Sequence, residues 1–233
     1  MTVAILRFPG TWSERDFHHA IQDVTGIPSE IVWHEDATDL SRYEAAIVPG
    51  GFAYGDYLRA GAIARLSPAI AALRRFAERG GLVLGSCNGF QILCEAGLLP
   101  GALRRNDHLE FRCDWVHMRV ESERSPWAAG LSGRVLRMPI AHGEGNYYVD
   151  DATLARLEAN GQVALRYCDA SGAVTPEANP NGSLANIAGV CDERGNVLGL
   201  MPHPERCSEA ILGGTDGRVL LAALEDALAR ALS

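Results

Sequence analysis

The sequence has no run of about 20 consecutive apolar residues, so no helical membrane span is expected. It has no surplus of positive charge either. Twenty-one Lys and Arg stand against 29 Asp and Glu, a net charge of −8, which argues against a nucleic-acid surface. None of its six cysteines (Cys87, Cys94, Cys113, Cys168, Cys191 and Cys207) belongs to a C-x-x-C pair, and their spacing is wide and irregular. That argues against a zinc site or a disulfide framework and leaves reduced thiols as the expectation. There is no H-E-x-x-H and no P-loop, so no metal or nucleotide cofactor is expected on this chain. The N-terminal residues read as a strand and lack a basic start and a small-residue cleavage site, which makes the cytoplasm the expected location. No linker, repeat or low-complexity segment interrupts the chain. Residues 1–233 are therefore expected to form a single domain, large enough to bury a full core.

What the sequence does have is alternation. Residues 3–8, 30–33, 45–49 and 82–84 read as strands. Between them, Thr11 is expected to open a helix toward Thr25, with Glu14 completing a capping box. Residues 58–79 read as helical with a break at Pro68, and residues 90–96 as a further helix. Strands alternating with helices predict an α/β fold, a mostly parallel central sheet with helices on both faces. From residue 115 the texture changes. Residues 115–120, 134–139, 187–191 and 197–201 read as strands joined without long helices, so some antiparallel pairing is expected in the C-terminal half. Residues 192–196 read as a hairpin loop and 179–183 as an exposed loop. A last amphipathic helix is expected over 218–232, capped by Thr215 and Asp216.

Three stretches carry chemistry. In residues 85–91 (GSCNGFQ), Cys87 has a glycine two residues to either side. This is the pattern of a sharp strand-to-helix turn that lifts a nucleophile above a sheet and aims a helix N-terminus at it, favouring thiolate. Alone, the pentapeptide equally suits a buried cysteine in an ordinary turn. Residues 199–206 (GLMPHPER) supply a base: His203 has the pKa range for proton transfer, and Glu205 can fix its tautomer. The flanking prolines keep the segment extended, which puts both side chains on one face. Residues 47–52 (IVPGGF) end a strand in two glycines. The N–H groups of Gly51 and Asn88 are the candidate donors to an oxyanion. Gln91, one helical turn beyond Cys87, can face the same cavity. Cys94 falls on the apolar face of that helix and reads as core.

Taken in order, these motifs resemble the class I glutamine amidotransferases, whose fold is flavodoxin-like. Four blocks narrow the resemblance to the glutaminase subunits of phosphoribosylformylglycinamidine synthases: residues 50–61 (GGFAYGDYLRAG), 85–91, 141–145 (AHGEG) and 201–206 (MPHPER). The resemblance runs from residue 3 to about 232. It implies Cys87, His203 and Glu205 as catalytic residues and Gly51 and Asn88 as the oxyanion hole. It also implies that Gln91 and the backbone of His142, Gly143 and Glu144 hold glutamine. The implied partners are a large synthetase subunit, which would bind ATP and magnesium, and a small bridging subunit. Residues 54–59 are expected either to cover the pocket or to face the partner, and Arg104, Arg105, Asn106 and Phe111 to be partner-facing or structural. A glutaminase of another biosynthetic pathway, a cysteine hydrolase on the same fold and a non-catalytic scaffold subunit stay open as alternatives.

Overall fold

The computed structural model describes residues 2–231. In chain order the elements are β1 (Val3–Arg7), α1 (Glu14–His18), β2 (Ser29–Trp33), β3 (Ala45–Val48), α2 (Pro68–Glu78), β4 (Leu82–Ser86) and α3 (Asn88–Glu95). Then follow β5 (Ala102–Arg104), β6 (Arg112–Val120), β7 (Val135–His142), β8 (Asn146–Tyr148), α4 (Asp151–Ala159), β9 (Val163–Cys168), β10 (Ile187–Cys191), β11 (Val197–Leu200) and α5 (Asp216–Ala231). The expected end of the last helix, residue 232, lies outside the described residues.

Nine strands form one sheet in the order β2-β1-β3-β4-β11-β10-β9-β6-β7. From β2 to β11 neighbouring strands run parallel; from β11 to β7 every pair is antiparallel. β5 and β8 make a separate two-stranded ribbon. The expected α/β fold, parallel with antiparallel strands toward the C-terminus, is the fold observed. Strand β1 shows why it forms. Ala4 and Leu6 enter one core with Phe76 and Phe90, whereas Val3 and Ile5 enter the other with Phe17 and Leu220. Alternate side chains of one short apolar run thus feed both faces. Helices α2, α3 and α4 cover the first core, α1 and α5 the second. Each fully buried Leu or Phe contributes about 1.5–3 kcal/mol. Among the described residues no helix is long and apolar enough to cross a membrane.

Four local expectations are corrected. The Thr11–Glu14 capping box does not form. Thr11 Oγ1 accepts the Phe8 N–H at 2.9 Å, and Glu14 turns to Arg7 at 3.3 Å, so α1 opens at Glu14. Past His18 the helix widens into a π-helical turn, His19–Val24. Residues 58–63 are turns rather than helix, because Gly61 (φ +80°) lies against the backbone of Ile92. Helix α2 starts at Pro68, where Ser67 Oγ accepts the Ala69 N–H. The loop at 179–183 is not exposed: Pro180, Asn181 and Ser183 are buried. Finally, α4 and β9 stand where no regular element was expected.

Candidate active site

The parallel strands all end on the same edge of the sheet, and that edge carries the chemistry-bearing residues. After β3, Gly50 is clamped by Ser13. The Gly50 N–H donates to Ser13 Oγ at 2.9 Å, and its carbonyl accepts from the N–H groups of Trp12 and Ser13. Gly51 then adopts φ +149°, a backbone that side chains rarely permit. Among the described residues, neither the Gly51 N–H nor the Asn88 N–H donates to another backbone group.

After β4, Cys87 sits at φ +52°, ψ −109°, immediately before α3. Its N–H donates to the Leu200 carbonyl of neighbouring β11 at 2.8 Å, which fixes the strained turn. A residue held there costs about 1–3 kcal/mol and persists only where its surroundings over-determine it. The packing of α3 is the constraint. A Cβ on Gly89 would lie 1.8 Å from the Val48 carbonyl oxygen, so only glycine lets α3 approach β3 this closely. Cys87 is buried, and its Sγ points at the Ala141 carbonyl, 3.7 Å away.

After β11, His203 and Glu205 are buried together, and Nδ1 of His203 donates to Glu205 Oε1 at 2.6 Å. That bond leaves Nε2 of His203 shielded from solvent, with no hydrogen-bond partner among the described residues. The ring turns toward Cys87: a Cβ on Gly50 would meet His203 Cε1 at 2.8 Å and Cys87 Cβ at 3.4 Å. Burial by itself would lower the His203 pKa. The charges of Glu205 and of an ionised Cys87 outweigh it and hold the ring above its ordinary value of 6.5.

The remaining wall comes from the end of β7. Asn106, fully buried, is its tether: Nδ2 donates to the carbonyls of His142 and Glu110, and Oδ1 accepts the Gly145 N–H at 3.0 Å. Gln91 Nε2 donates to the Glu144 carbonyl at 2.7 Å, and Gln91 Oε1 accepts from Asn88 Nδ2 at 2.9 Å. His142 is itself buried. Its Nε2 accepts from Asn181 Nδ2 at 3.0 Å, and burial, with the nearby charge of His203, lowers its pKa to about 3. It is therefore neutral, with its proton on Nδ1.

Between these walls lies a cleft of about 170 Å³ whose lining includes Gly51, Cys87, Gln91, Asp56 and Glu144. A second lobe of about 190 Å³ also reaches Cys87 and extends toward His203, Trp12 and Arg206. Phe52 and Phe111 line both lobes, with ring centroids 6.4 Å apart. The structure thus brings all nine residues singled out from the sequence to one edge of the sheet. Asn106 holds the site wall rather than a partner, and Asn181, Asp56 and Ser13 are additional. Of these, Asp56 has a sequence signal, since it lies in the block at 50–61. Asn106, Asn181 and Ser13 act through buried hydrogen bonds across long sequence separations, which no local pattern announces. Cys94 is buried in the core as expected, and burial raises its pKa. Among the described residues, no cluster of His, Cys, Asp and Glu is placed to hold a metal ion.

A cysteine on a strained strand-to-helix turn, beside a carboxylate-bound histidine and free backbone N–H groups, has the make-up that amide cleavage of the amidotransferase kind requires. The family model of the CobB/CobQ-like glutamine amidotransferase domain matches residues 1–214. The chain belongs to that family, among the phosphoribosylformylglycinamidine synthase subunits PurQ. It is 57% identical to the PurQ subunit of Moorella thermoacetica over 227 residues, 97% of this chain and 96% of that one. It is 58% identical to the PurQ subunit of Thermomicrobium roseum over 225 residues, 96% of this chain and 95% of that one. A chain in the structure of PurLQS from Thermotoga maritima superposes with a TM-score of 0.85 at 41% identity, covering 97% of this chain and 98% of that one. A glutamine amidotransferase from Thermotoga maritima, at 14% identity and a TM-score of 0.53, shares the fold over 100% of this chain and 86% of its own.

Proposed function

We propose that this chain is the glutaminase subunit of a phosphoribosylformylglycinamidine synthase, and that residues 1–233 act as one catalytic domain in the cytoplasm. Cys87 attacks the side-chain carboxamide carbon of glutamine. The resulting oxyanion is held by the N–H groups of Gly51 and Asn88. His203 delivers a proton to the nitrogen, the C–N bond breaks, and ammonia leaves a glutamyl thioester on Cys87. His203 then draws a proton from water, whose oxygen attacks the thioester, and glutamate departs. Glu205 keeps the Nδ1 proton of His203 in place, so that Nε2 faces the sulfur. Gln91 and the segment His142, Gly143 and Glu144 line the glutamine pocket. The observation that carries this reading is the unpartnered, buried Nε2 of a Glu205-bound His203 beside a strained Cys87.

Ammonia then passes to a synthetase subunit, which binds ATP and magnesium and converts formylglycinamide ribonucleotide to the amidine; a small subunit bridges the two. Relatives named as subunits support this, as does a cleft mouth rimmed by exposed Trp12, Phe52 and Phe111. The test is glutamate release by wild type and Cys87→Ala, alone and with the synthetase supplied with formylglycinamide ribonucleotide, ATP and magnesium. Release that needs Cys87 and rises with synthetase turnover is expected. Release indifferent to the synthetase removes the purine assignment, and release without Cys87 removes the mechanism.

A further inference from the structure

The two glycines that follow β3 leave a question their own backbone does not answer. Without side chains, Gly50 and Gly51 let the peptide between them rotate with little steric resistance. That peptide is trans, so its carbonyl and its N–H point in opposite directions. Turned one way, it offers the Gly51 N–H to an oxyanion formed at Cys87. Turned over, it offers the Gly50 carbonyl instead, whose partial negative charge repels an oxyanion. Something outside the strand has to fix its orientation.

We propose that Ser13 fixes it, and is a positioning residue for the oxyanion hole. This rests on the glutaminase reading above. Three observations carry it. First, the Gly50 carbonyl is held toward the start of α1 by the N–H groups of Trp12 and Ser13, at 3.0 and 3.2 Å, and more weakly by Ser13 Oγ, at 3.4 Å. The same hydroxyl accepts the Gly50 N–H at 2.9 Å, so one oxygen holds residue 50 on both sides. Turning the peptide over would strip three donors of their acceptor. Second, Ser13 stands where a helix cap belongs and does not cap. It directly precedes Glu14, the first residue of α1, yet its side chain accepts from no N–H of the helix. Serine in that place ordinarily stabilises its own helix; this one, fully buried, serves Gly50. Third, the clamped residue lies against the reacting groups. A Cβ on Gly50 would meet His203 Cε1 at 2.8 Å and Cys87 Cβ at 3.4 Å.

A serine that only packed the loop before α1 would loosen the whole site when cut, and every reaction of Cys87 would suffer alike. A serine that orients the Gly51 N–H affects only reactions that place negative charge on oxygen. Two probes separate these roles. With iodoacetamide, Sγ of Cys87 bonds to a saturated carbon and iodide leaves with the bonding pair, so no oxyanion arises. Glutarate semialdehyde has an aldehyde where glutamine has its carboxamide, and no amino group on which to cyclise. Sγ adds reversibly to its carbonyl carbon, the π pair moves to the oxygen, and the thiol proton passes to His203.

In the full chain, Ser13→Ala is expected to lower kcat for glutamate release by about 10–100-fold, with KM within about threefold. Binding of glutarate semialdehyde, read from its protection of Cys87 against iodoacetamide, should weaken by a similar factor. Alkylation without the aldehyde should keep its rate within about twofold, because the thiolate itself is untouched. Ser13→Cys keeps the volume but hydrogen-bonds weakly. It should move the same two quantities in the same direction by less, and it takes the place of Ser13→Ala if that variant does not fold. Wild-type kcat, unmoved aldehyde binding, or alkylation slowed as much as turnover would each overturn the assignment. Failure of the glutaminase reading is distinct: the wild-type chain would then release no glutamate, or Cys87→Ala would release it equally well.

Discussion

The two halves of the sheet solve different problems. In the parallel half, three neighbouring strands (β3, β4 and β11) each end in one chemistry-bearing residue: Gly51, Cys87 and His203. Their relative positions are set largely by backbone hydrogen bonds within that half, such as Cys87 N–H to the Leu200 carbonyl at 2.8 Å. In the antiparallel half, one strand end (142–145) is positioned mostly by side chains, through Asn106, Asn181 and Ser183, with one backbone bond from the Asn106 N–H to the Gly143 carbonyl at 2.9 Å. In the proposed mechanism, strand ends give stiff placement where bonds break. A tethered segment gives a wall that can be shaped to a substrate. The two regions should therefore fail differently when cut.

The largest effect is expected in the parallel half. Glu205→Gln removes the charge that holds His203, and kcat should fall by about 10²–10⁴ with little change in KM. The His203 ring should then lose its proton at lower pH, a shift that NMR titration of the ring would reveal; an unmoved titration would separate Glu205 from His203. Asn106→Ala should do the reverse. Gly145 N–H and the His142 carbonyl lose their partner, at about 1–3 kcal/mol of stability, and KM for glutamine should rise several-fold while kcat stays within about threefold. An equal fall in kcat would erase the distinction between the halves.

The smallest effect is in acid and base stability, where two buried histidines of the site, His142 and His203, have opposite signs. The folded pKa of His142 lies at about 3, below the ordinary 6.5. The unfolded chain takes up that proton first, so stability is full above 6.5 and falls as pH drops toward 3. The folded pKa of His203 is raised. Its contribution is full below 6.5 and is lost as pH climbs through the raised value. Chemical denaturation across pH should show both flanks, and His142→Gln should flatten only the acid one.

The same contrast governs what the sequence reveals. Strands buried on both faces read as short apolar runs, and each strand end that carries a proposed catalytic residue sits inside a local signature, so the parallel half and its residues are legible. The antiparallel half is less so. Helix α4 fully buries Leu157 alone among its residues, which leaves no apolar stripe to read. Asn181 sits in a Pro, Asn and Gly run that has the composition of a surface loop, yet its side chain is spent on His142 and Tyr167. Thr11 looks like a cap because its spacing to Glu14 is right; the long-range contact with Gly51 overrides local preference.

The turn at Cys87 has a further consequence, for the antagonism between activity and durability. Its φ and ψ mirror a backbone that ordinary residues adopt with ease, and glycine alone is indifferent to that reflection. Among variants that lack the sulfur, glycine should therefore outlast alanine, the reverse of the usual order, by about 1 kcal/mol in thermal unfolding. The residue proposed to do the chemistry is then one that folding by itself would not have chosen.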